Sequence, residues 1–474
     1  MSNIPVQEAF TKIPTAPSQQ QVSELLNSEL KQLNKKIVVL DDDPTGVQTV
    51  HDISVYTNWK KSSIEQGFAE ENSMFFILTN SRSLTAAETE QVHREIATRV
   101  SEVAQATKQE FLFISRSDST LRGHYPLETE ILRKVVTDET GSIFDGEVIL
   151  PFFKEGGRFT IDDTHFVQID DQLVPAGETE FAKDKTFGYH ASNLKQWIEE
   201  KTDGQYQAAN VTSISLTDLR NLNLAKITNQ LMQVTDFNKV IVNAVDYIDV
   251  QVFVIALIRA LRQGKLFMFR SAAALTKVLG GVSNQPLLTK ADLIDSTTTA
   301  GGLVVIGSHV QKTTDQLKAL QQLNNVLFIE FDVKTVLAES TLVQEEQRVA
   351  KAVNAALKQG RTVTVYTSRQ RLDLGDDKEA VLKLSVNVSK ALTNLVKQLP
   401  LRPKFIIAKG GITSSDIGTV GLAVDHALVA GQVKPGIPVW YTGDDSKFPQ
   451  LPYIIFPGNV GEKNTLREIV ALLD

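Results

Sequence analysis

Residues 115–128 read SRSDSTLRGHYPLE, and the fold turns on what stands on either side of them. Before them Phe111, Leu112, Phe113 and Ile114 make an apolar run of strand length. Towards their end Pro126 suits the first turn of a helix, and Leu127, Ile131, Leu132, Val135 and Val136 recur at helical spacing. The polar residues therefore sit on the connection leaving the carboxyl end of a strand, where open α/β sheets receive their ligands. Arg116, Asp118, Arg122, Gly123 and the hydroxyls of Ser115, Ser117, Ser119 and Thr120 are packed into it. Such groups are costly beside a sheet unless something polar is received there, and a small anionic or hydroxylated ligand is the natural guest. The plainer alternative makes Arg116, Asp118 and Arg122 an ion-pair cluster that closes a loop, with Ser119 or Thr120 capping the helix.

The same arrangement recurs upstream. The apolar run 37–40 ends in Asp41, Asp42, Asp43, Pro44, Thr45 and Gly46. Three adjacent carboxylates repel one another, so they face either solvent or a cation or sugar hydroxyl, and a Pro-Thr-Gly turn that holds them in place favours the second. The run 74–78 leads into Thr79, Asn80, Ser81, Arg82 and Ser83; Thr85 with Glu88 then forms a capping-box signature, and Val92, Ile96 and Val103 mark a helix face. A further run, 148–153, closes in Lys154, Glu155, Gly156, Gly157 and Arg158. Residues 159–184, rich in Asp, Thr and Gly, form a long excursion containing His165, which like His124 is expected to be a surface or packing residue. More strands are expected at 210–215, 239–245 and 266–269, with the all-round apolar helix 250–261 sandwiched between elements. Strand, polar loop, then helix, repeated, defines an α/β domain with a mostly parallel sheet flanked by helices and its functional edge at the strand ends.

Polarity rises over 285–302, and the domain boundary is placed there: a lead-in over 1–35 with a helix near 22–33, a first domain over 36–296 and a second over 297–474. In the second domain, 303–306 is followed by Gly307, Ser308, His309 and a helix whose apolar face includes Val310, Leu317 and Leu320. After strands at 326–331 and 362–366, the run 405–408 enters Lys409, Gly410, Gly411, Ile412, Thr413, Ser414 and Ser415. Finally 454–456 leads to Pro457, Gly458, Asn459, Val460 and Gly461, then a closing helix. Small residues at three such junctions let backbone amides approach an anion closely, and phosphate suits them best. The chain lacks GxxxxGK[ST], GxGxxG and HExxH.

Composition bounds the answer. The 474 residues exceed one ordinary core, and 42% apolar with 22% charged residues is usual for a globular protein. There is no cysteine, which excludes disulfides, thiolate metal sites and cysteine nucleophiles. Lys and Arg total 49 against 56 Asp and Glu, a net charge of -7, so a nucleic-acid partner needing a broad basic face is not expected. No apolar run approaches a bilayer span and the first residues carry no secretory pattern, so a cytoplasmic protein without membrane contact is expected. A homo-oligomer is compatible with all of this.

Asp42, Asp43, Pro44, Thr45 and Gly46 resemble a DDxTG motif, Ser81 and Arg82 an SR pair after the second strand, and residues 118–123 read DSTLRG. With Gly156, Gly157 and Arg158, and Gly410, Gly411 and Thr413 near the end, the chain resembles the four-carbon acid sugar kinase family from about residue 37 to about 461. The resemblance implies two α/β domains with the active site in the cleft between them, a sugar acid held by the first and ATP with Mg2+ by the second. The implied activity is ATP-dependent phosphorylation of a terminal hydroxyl of a threonate, erythronate or 3-oxo-tetronate type acid. It also implies ATP contacts from Ser308, Gly410, Gly411, Ile412, Thr413, Gly458 and Gly461. Phosphoryl transfer asks the protein to align, neutralise and accept a proton. Arg82, Arg116 and Arg122 suit planar anions; Asp42 and Asp118 are the candidate bases, with Arg122 as their catalytic partner. Asp43, Thr45, Ser81, Ser119 and Arg158, with Arg82 and Arg116, complete the expected substrate site, and the metal ligands are left unassigned. A sugar-acid sensor without chemistry, or a metal-assisted lyase or epimerase, remains the alternative.

Overall fold

The computed structural model describes residues 3–308, 310–369, 378–458 and 460–474, so His309 and Asn459 lie outside the described residues. The chain divides into two compact units, one of Met1–Thr49 with Asn58–Asn284, the other of Val50–Thr57 with Gln285–Asp474.

The first unit is built on a parallel sheet. Its strands are β1 (Lys36–Asp41), β2 (Met74–Leu78), β3 (Phe111–Arg116), β4 (Gly146–Leu150), β5 (Thr212–Ile214), β6 (Asn238–Val242) and β7 (Phe267–Ser271), in the spatial order β5-β6-β4-β7-β3-β1-β2. Ile37, Val38 and Val39, like Phe75, Phe76 and Ile77, are fully buried, which accounts for unbroken apolar runs where a half-exposed strand would alternate. The helix Tyr247–Arg262 is buried along most of its length and packs against Gln19–Leu30, Leu224–Met232 and Ala273–Leu279, as its all-round apolarity requires. The capping box is formed as expected: Thr85 accepts from the Glu88 amide while the Glu88 carboxylate accepts from Thr85, starting the helix Ala86–Thr107.

The long excursion after β4 holds strands Arg158–Ile161, Thr164–Ile169 and Gln172–Pro175 in a small antiparallel sheet, and Ile4–Pro5 of the N-terminal lead-in pairs with Gln172–Pro175 at its edge, a pairing the sequence does not show. Strands this short, turning through left-handed Asp162, Asp163 and Asp170, carry too few alternating residues to show a period.

The second unit contains β8 (Leu303–Ile306), β9 (Leu327–Phe331), β10 (Val363–Thr367), β11 (Ile406–Lys409), β12 (His426–Lys434), β13 (Ile437–Thr442) and β14 (Pro452–Phe456), in the order β12-β13-β14-β11-β8-β10-β9. The strands from β14 through β9 run parallel. β12, β13 and β14 form antiparallel pairs, and Ser54–Tyr56 pairs antiparallel with β12. Val304, Ile306, Ile407, Ile454 and Phe456 share a core with the closing helix Thr465–Leu473. Val310 does not join the apolar face of the helix Gln311–Leu320: it is the residue before the first turn and is 48% exposed.

Candidate functional site

In the first unit the chain leaves β1 towards β2 on one side and leaves β3 towards β4 on the other, so the carboxyl ends of β1 and β3 diverge side by side. This is a topological switch point, the place where an open α/β sheet has room for a ligand. Register puts Asp41 opposite Arg116 across it. The three polar loops of the sequence, 41–46, 79–83 and 115–123, therefore converge.

They converge as a charged lattice. Arg82 pairs with Asp43, with Asp42 at 3.1 Å and with Asp118 at 3.6 Å; Arg116 reaches Asp41 at 3.4 Å, Asp42 at 3.6 Å and the Gln48 amide oxygen at 3.2 Å. Arg122 donates to Asp118 at 2.7 Å and lies 3.7 Å from Asp184. Thr45 donates to Asp43, and Thr120 to Asp118. A Cβ at Gly46 would overlap the Asp41 carboxylate, so the Pro-Thr-Gly turn needs glycine to close over it.

The environment separates the carboxylates. Burial pushes Asp41 well above the usual carboxylate range against the pull of Arg116, and burial with the neighbouring Asp43 charge brings Asp42 up to about 7. Burial acts on Asp43 and Asp118 too, but is outweighed by Arg82 and Arg116 for the former and by Arg122 and Arg82 for the latter, holding both low. Asp42 Oδ2 is buried with no hydrogen-bond partner in the protein. An ionised oxygen left this way is costly, and an added hydroxyl donor would relieve it. Arg158 is the converse. It is buried beside Arg122 against the Phe181 ring, its Nε has no partner, and no described carboxylate lies within ion-pair distance of it. Burial holds its pKa down, and a bound anion would relieve that as well.

Of the residues expected at this site, Asp42, Asp43, Thr45, Arg82, Arg116, Asp118 and Arg122 form the lattice, with Arg116 on its buried side at 3% exposure. Ser81 is turned away: its hydroxyl donates to Glu128 at 2.6 Å, and Ser115 and Ser117 donate to the other Glu128 oxygen at 3.3 and 3.4 Å. Ser119 contributes its carbonyl to His165. Glu128 ties the loops after β2 and β3 together, with His93 3.8 Å away. The sequence shows Glu128 only as a helix residue with no sign of that task.

The second unit repeats the geometry. β8 leads away towards β9 and β10, β11 towards the β12–β14 side, so their carboxyl ends make a second switch point. Ser308, residues 410–413 and the turn after β14 follow its adjoining strands β8, β11 and β14; the sequence suggests a loop at 410–413, but only Gly410 lies outside the short helix Gly411–Asp416 that begins there. A Cβ on Gly307 would run into the Thr413 hydroxyl. Gly410, at φ 122°, would bring one within 3.3 Å of Ser308 Cβ, so the end of β8 and the start of the helix Gly411–Asp416 touch through glycine. A Cβ on Gly458 meets nothing within 4 Å, Gly461 has φ 80°, and Ile412 is 62% exposed. Two cations escaped the candidate list. Lys409 is fully buried, lies over the Phe456 ring and donates to the carbonyls of Pro457 at 2.7 Å and Gly458 at 3.3 Å; burial, helped by the Lys312 charge, lowers it to about 7. Arg369 donates to Ser308 O at 2.9 Å and Thr314 Oγ1 at 2.8 Å. A lysine ending an apolar strand was the available signal for the first; the second follows β10 with none.

The class these sites define is a two-unit α/β protein with an arginine and aspartate cluster at one switch point and a glycine and hydroxyl cluster at the other. The model of a sugar-binding N-terminal domain matches residues 37–279 and that of a nucleotide-binding C-terminal domain matches residues 303–466. The chain belongs to the family with this pair of domains, the four-carbon acid sugar kinase architecture. Among solved structures it is similar to a Salmonella typhimurium LT2 protein provisionally described as a tRNA synthase, with TM-score 0.66 and 17% identity over 92% of this chain and 98% of that one. It is also similar to a Haemophilus influenzae protein of family DUF1537, with TM-score 0.58 and 17% identity over 92% and 99%. At that identity both show the fold alone. A search of curated proteins returns no match. Among the described residues no helix is long and apolar enough to cross a membrane, and no group of three or more His, Asp or Glu side chains is arranged to hold a metal ion by itself.

Proposed function

We propose that the protein is an ATP-dependent kinase that phosphorylates a terminal hydroxyl of a four-carbon sugar acid. The observation that carries this reading is the lattice at the β1/β3 switch point: a carboxylate brought to about 7 with one unpartnered oxygen, set among arginines of which Arg158 has an unpartnered Nε and no described carboxylate within ion-pair distance. A sugar acid offers what that lattice lacks, a hydroxyl proton for Asp42 and a carboxylate for Arg158. Of the two candidate bases, Asp42 suits the role better, since a base titrating near working pH is the efficient one and Asp118 is held low by its arginines.

In this reading the substrate hydroxyl gives its proton to Asp42 Oδ2 and its oxygen bonds to the γ-phosphorus. The bond from that phosphorus to the bridging oxygen breaks, and ADP leaves. Arg82 and Arg122 neutralise charge on the transferring group. Ser308, Gly410–Thr413 and Gly458–Gly461 offer backbone and hydroxyl donors to ATP, with Lys409 and Arg369 nearby as cations. Mg2+ would arrive on the phosphates, needing one or two protein carboxylates at most. Transfer requires the bound acid's hydroxyl and the γ-phosphate to be brought into reach with water excluded.

Asp118→Asn or Arg122→Ala is expected to lose most ADP-forming activity while the melting transition is retained. Near-normal turnover in either variant would remove that residue from the mechanism.

A further inference from the structure

The loop 118–123 is held from outside by its backbone. His165 Nε2 lies 2.8 Å from the carbonyl oxygen of Ser119, Tyr189 donates its hydroxyl to that of Thr120 at 2.7 Å, and Arg270 donates to that of Arg122 at 3.0 Å. All three side chains are buried. A carbonyl only accepts, so the His165 proton is on Nε2, and Nδ1 is left to accept from the Thr160 hydroxyl 3.0 Å away. Burial keeps that ring neutral, which is the form with one donor and one acceptor. Arg270 is fixed in turn over the rings of Tyr125 and Trp197 at 5.2 and 5.1 Å.

Between the gripped carbonyls Leu121 takes φ 70°, a conformation rare for a branched side chain, and is buried in an apolar cluster with Tyr125, Ala176, Ala182, Tyr189 and Trp197. A backbone of that kind persists only where its surroundings over-determine it. Most of those surroundings, and two of the three donors, come from residues 160–198, the small antiparallel sheet and the segments after it. None of the candidate reacting groups lies there.

We infer that residues 160–198 are a buttress, and that His165 and Tyr189 are positioning residues which, by holding the carbonyls of Ser119 and Thr120, fix Asp118 and Arg122 for the reaction. The inference rests on the reading of Asp118 and Arg122 as part of the reacting centre.

The test uses the full chain with Tyr189→Phe, which removes one hydroxyl, His165→Leu, which removes both ring hydrogen bonds, and His165→Gln, whose amide nitrogen stands where Nε2 was. Amide hydrogen exchange over 118–123 is read beside kcat and KM. For Tyr189→Phe and His165→Leu the expected result is exchange faster by about fivefold or more in this loop with β1 and β3 unchanged, the worth of one neutral hydrogen bond. A fall of about fivefold or more in kcat at constant KM for ATP should accompany it. His165→Gln should restore most of both. Unchanged loop exchange, or faster exchange with kcat unmoved, would overturn the inference, and Tyr189→Phe keeps the test open if His165→Leu fails to fold. Wild-type protein that makes no ADP with any sugar acid, beside faster loop exchange in the variants, would end the kinase reading and leave the buttress standing.

Discussion

Asp42 has a different chemistry from Asp43 beside it because burial dominates one and arginine the other, although the sequence presents them as equals. As a base Asp42 must be ionised, so activity should rise as pH climbs through about 7 and level off above it. Asp42→Asn should lower kcat by about 10²- to 10⁴-fold, the usual worth of a general base, and abolish that limb. A pH–rate profile in which the limb survives in Asp42→Asn would assign it elsewhere. Lys409 supplies a second residue-scale prediction. With the amine lowered to about 7, raising pH above 7 leaves it neutral before ATP binds, whereas a bound polyphosphate favours the charged form. ATP binding should therefore take up a proton, and affinity should fall above pH 7 by as much as about tenfold per pH unit. Lys409→Gln should lose this dependence, as calorimetry in buffers of different ionisation enthalpy would show; an unaltered pH dependence would dissociate Lys409 from the nucleotide.

At the scale of elements, fully buried parallel strands and long amphipathic helices were legible, because unbroken runs such as 74–78 and a capping box such as Thr85 with Glu88 are local signals. What escaped was structure made by pairing. The strands Arg158–Ile161 and Thr164–Ile169 are too short to display alternation, and β12 and β13, nine and six residues long, meet through register shifts at Gly431 and Lys434 that break it. The polar loops after β1 and β3 were legible as loops, whereas the expected loop after β11 is helical from Gly411 to Asp416; which side chains face outward was not legible, since Ser81 serves Glu128 and Lys409 serves two carbonyls. Glycine geometry is testable at this scale. At Gly410, with φ 122° and Ser308 Cβ 3.3 Å from where a Cβ would stand, Gly410→Ala should weaken ATP binding by about tenfold or more, the equivalent of roughly 1.4 kcal/mol of strain. Sugar-acid binding measured without nucleotide should be unaffected. Equal ATP affinity in the variant would remove residues 410–413 from the site.

For the whole molecule, the proposed function assigns one task to each switch point, and each is assembled within its own unit, from the ends of strands that lead away in opposite directions. In the proposed reading neither set of side chains suffices alone: the arginines and aspartates suit the sugar acid and the glycine and hydroxyl cluster suits the phosphates. Asp118 and Arg158 illustrate why the charge pattern was visible in the sequence while its consequence was not: Asp118 is paired with two arginines, whereas Arg158, at the start of a short strand, has no described carboxylate within ion-pair distance and an unpartnered Nε. The most direct measurement is ADP formation by the full chain with ATP and Mg2+ across a panel of threonate, erythronate and 3-oxo-tetronate isomers. The account predicts acid-dependent ADP release with at least one of them, accompanied by a phosphorylated acid. No ADP above the acid-free rate with any member, in protein that binds ATP, would contradict it.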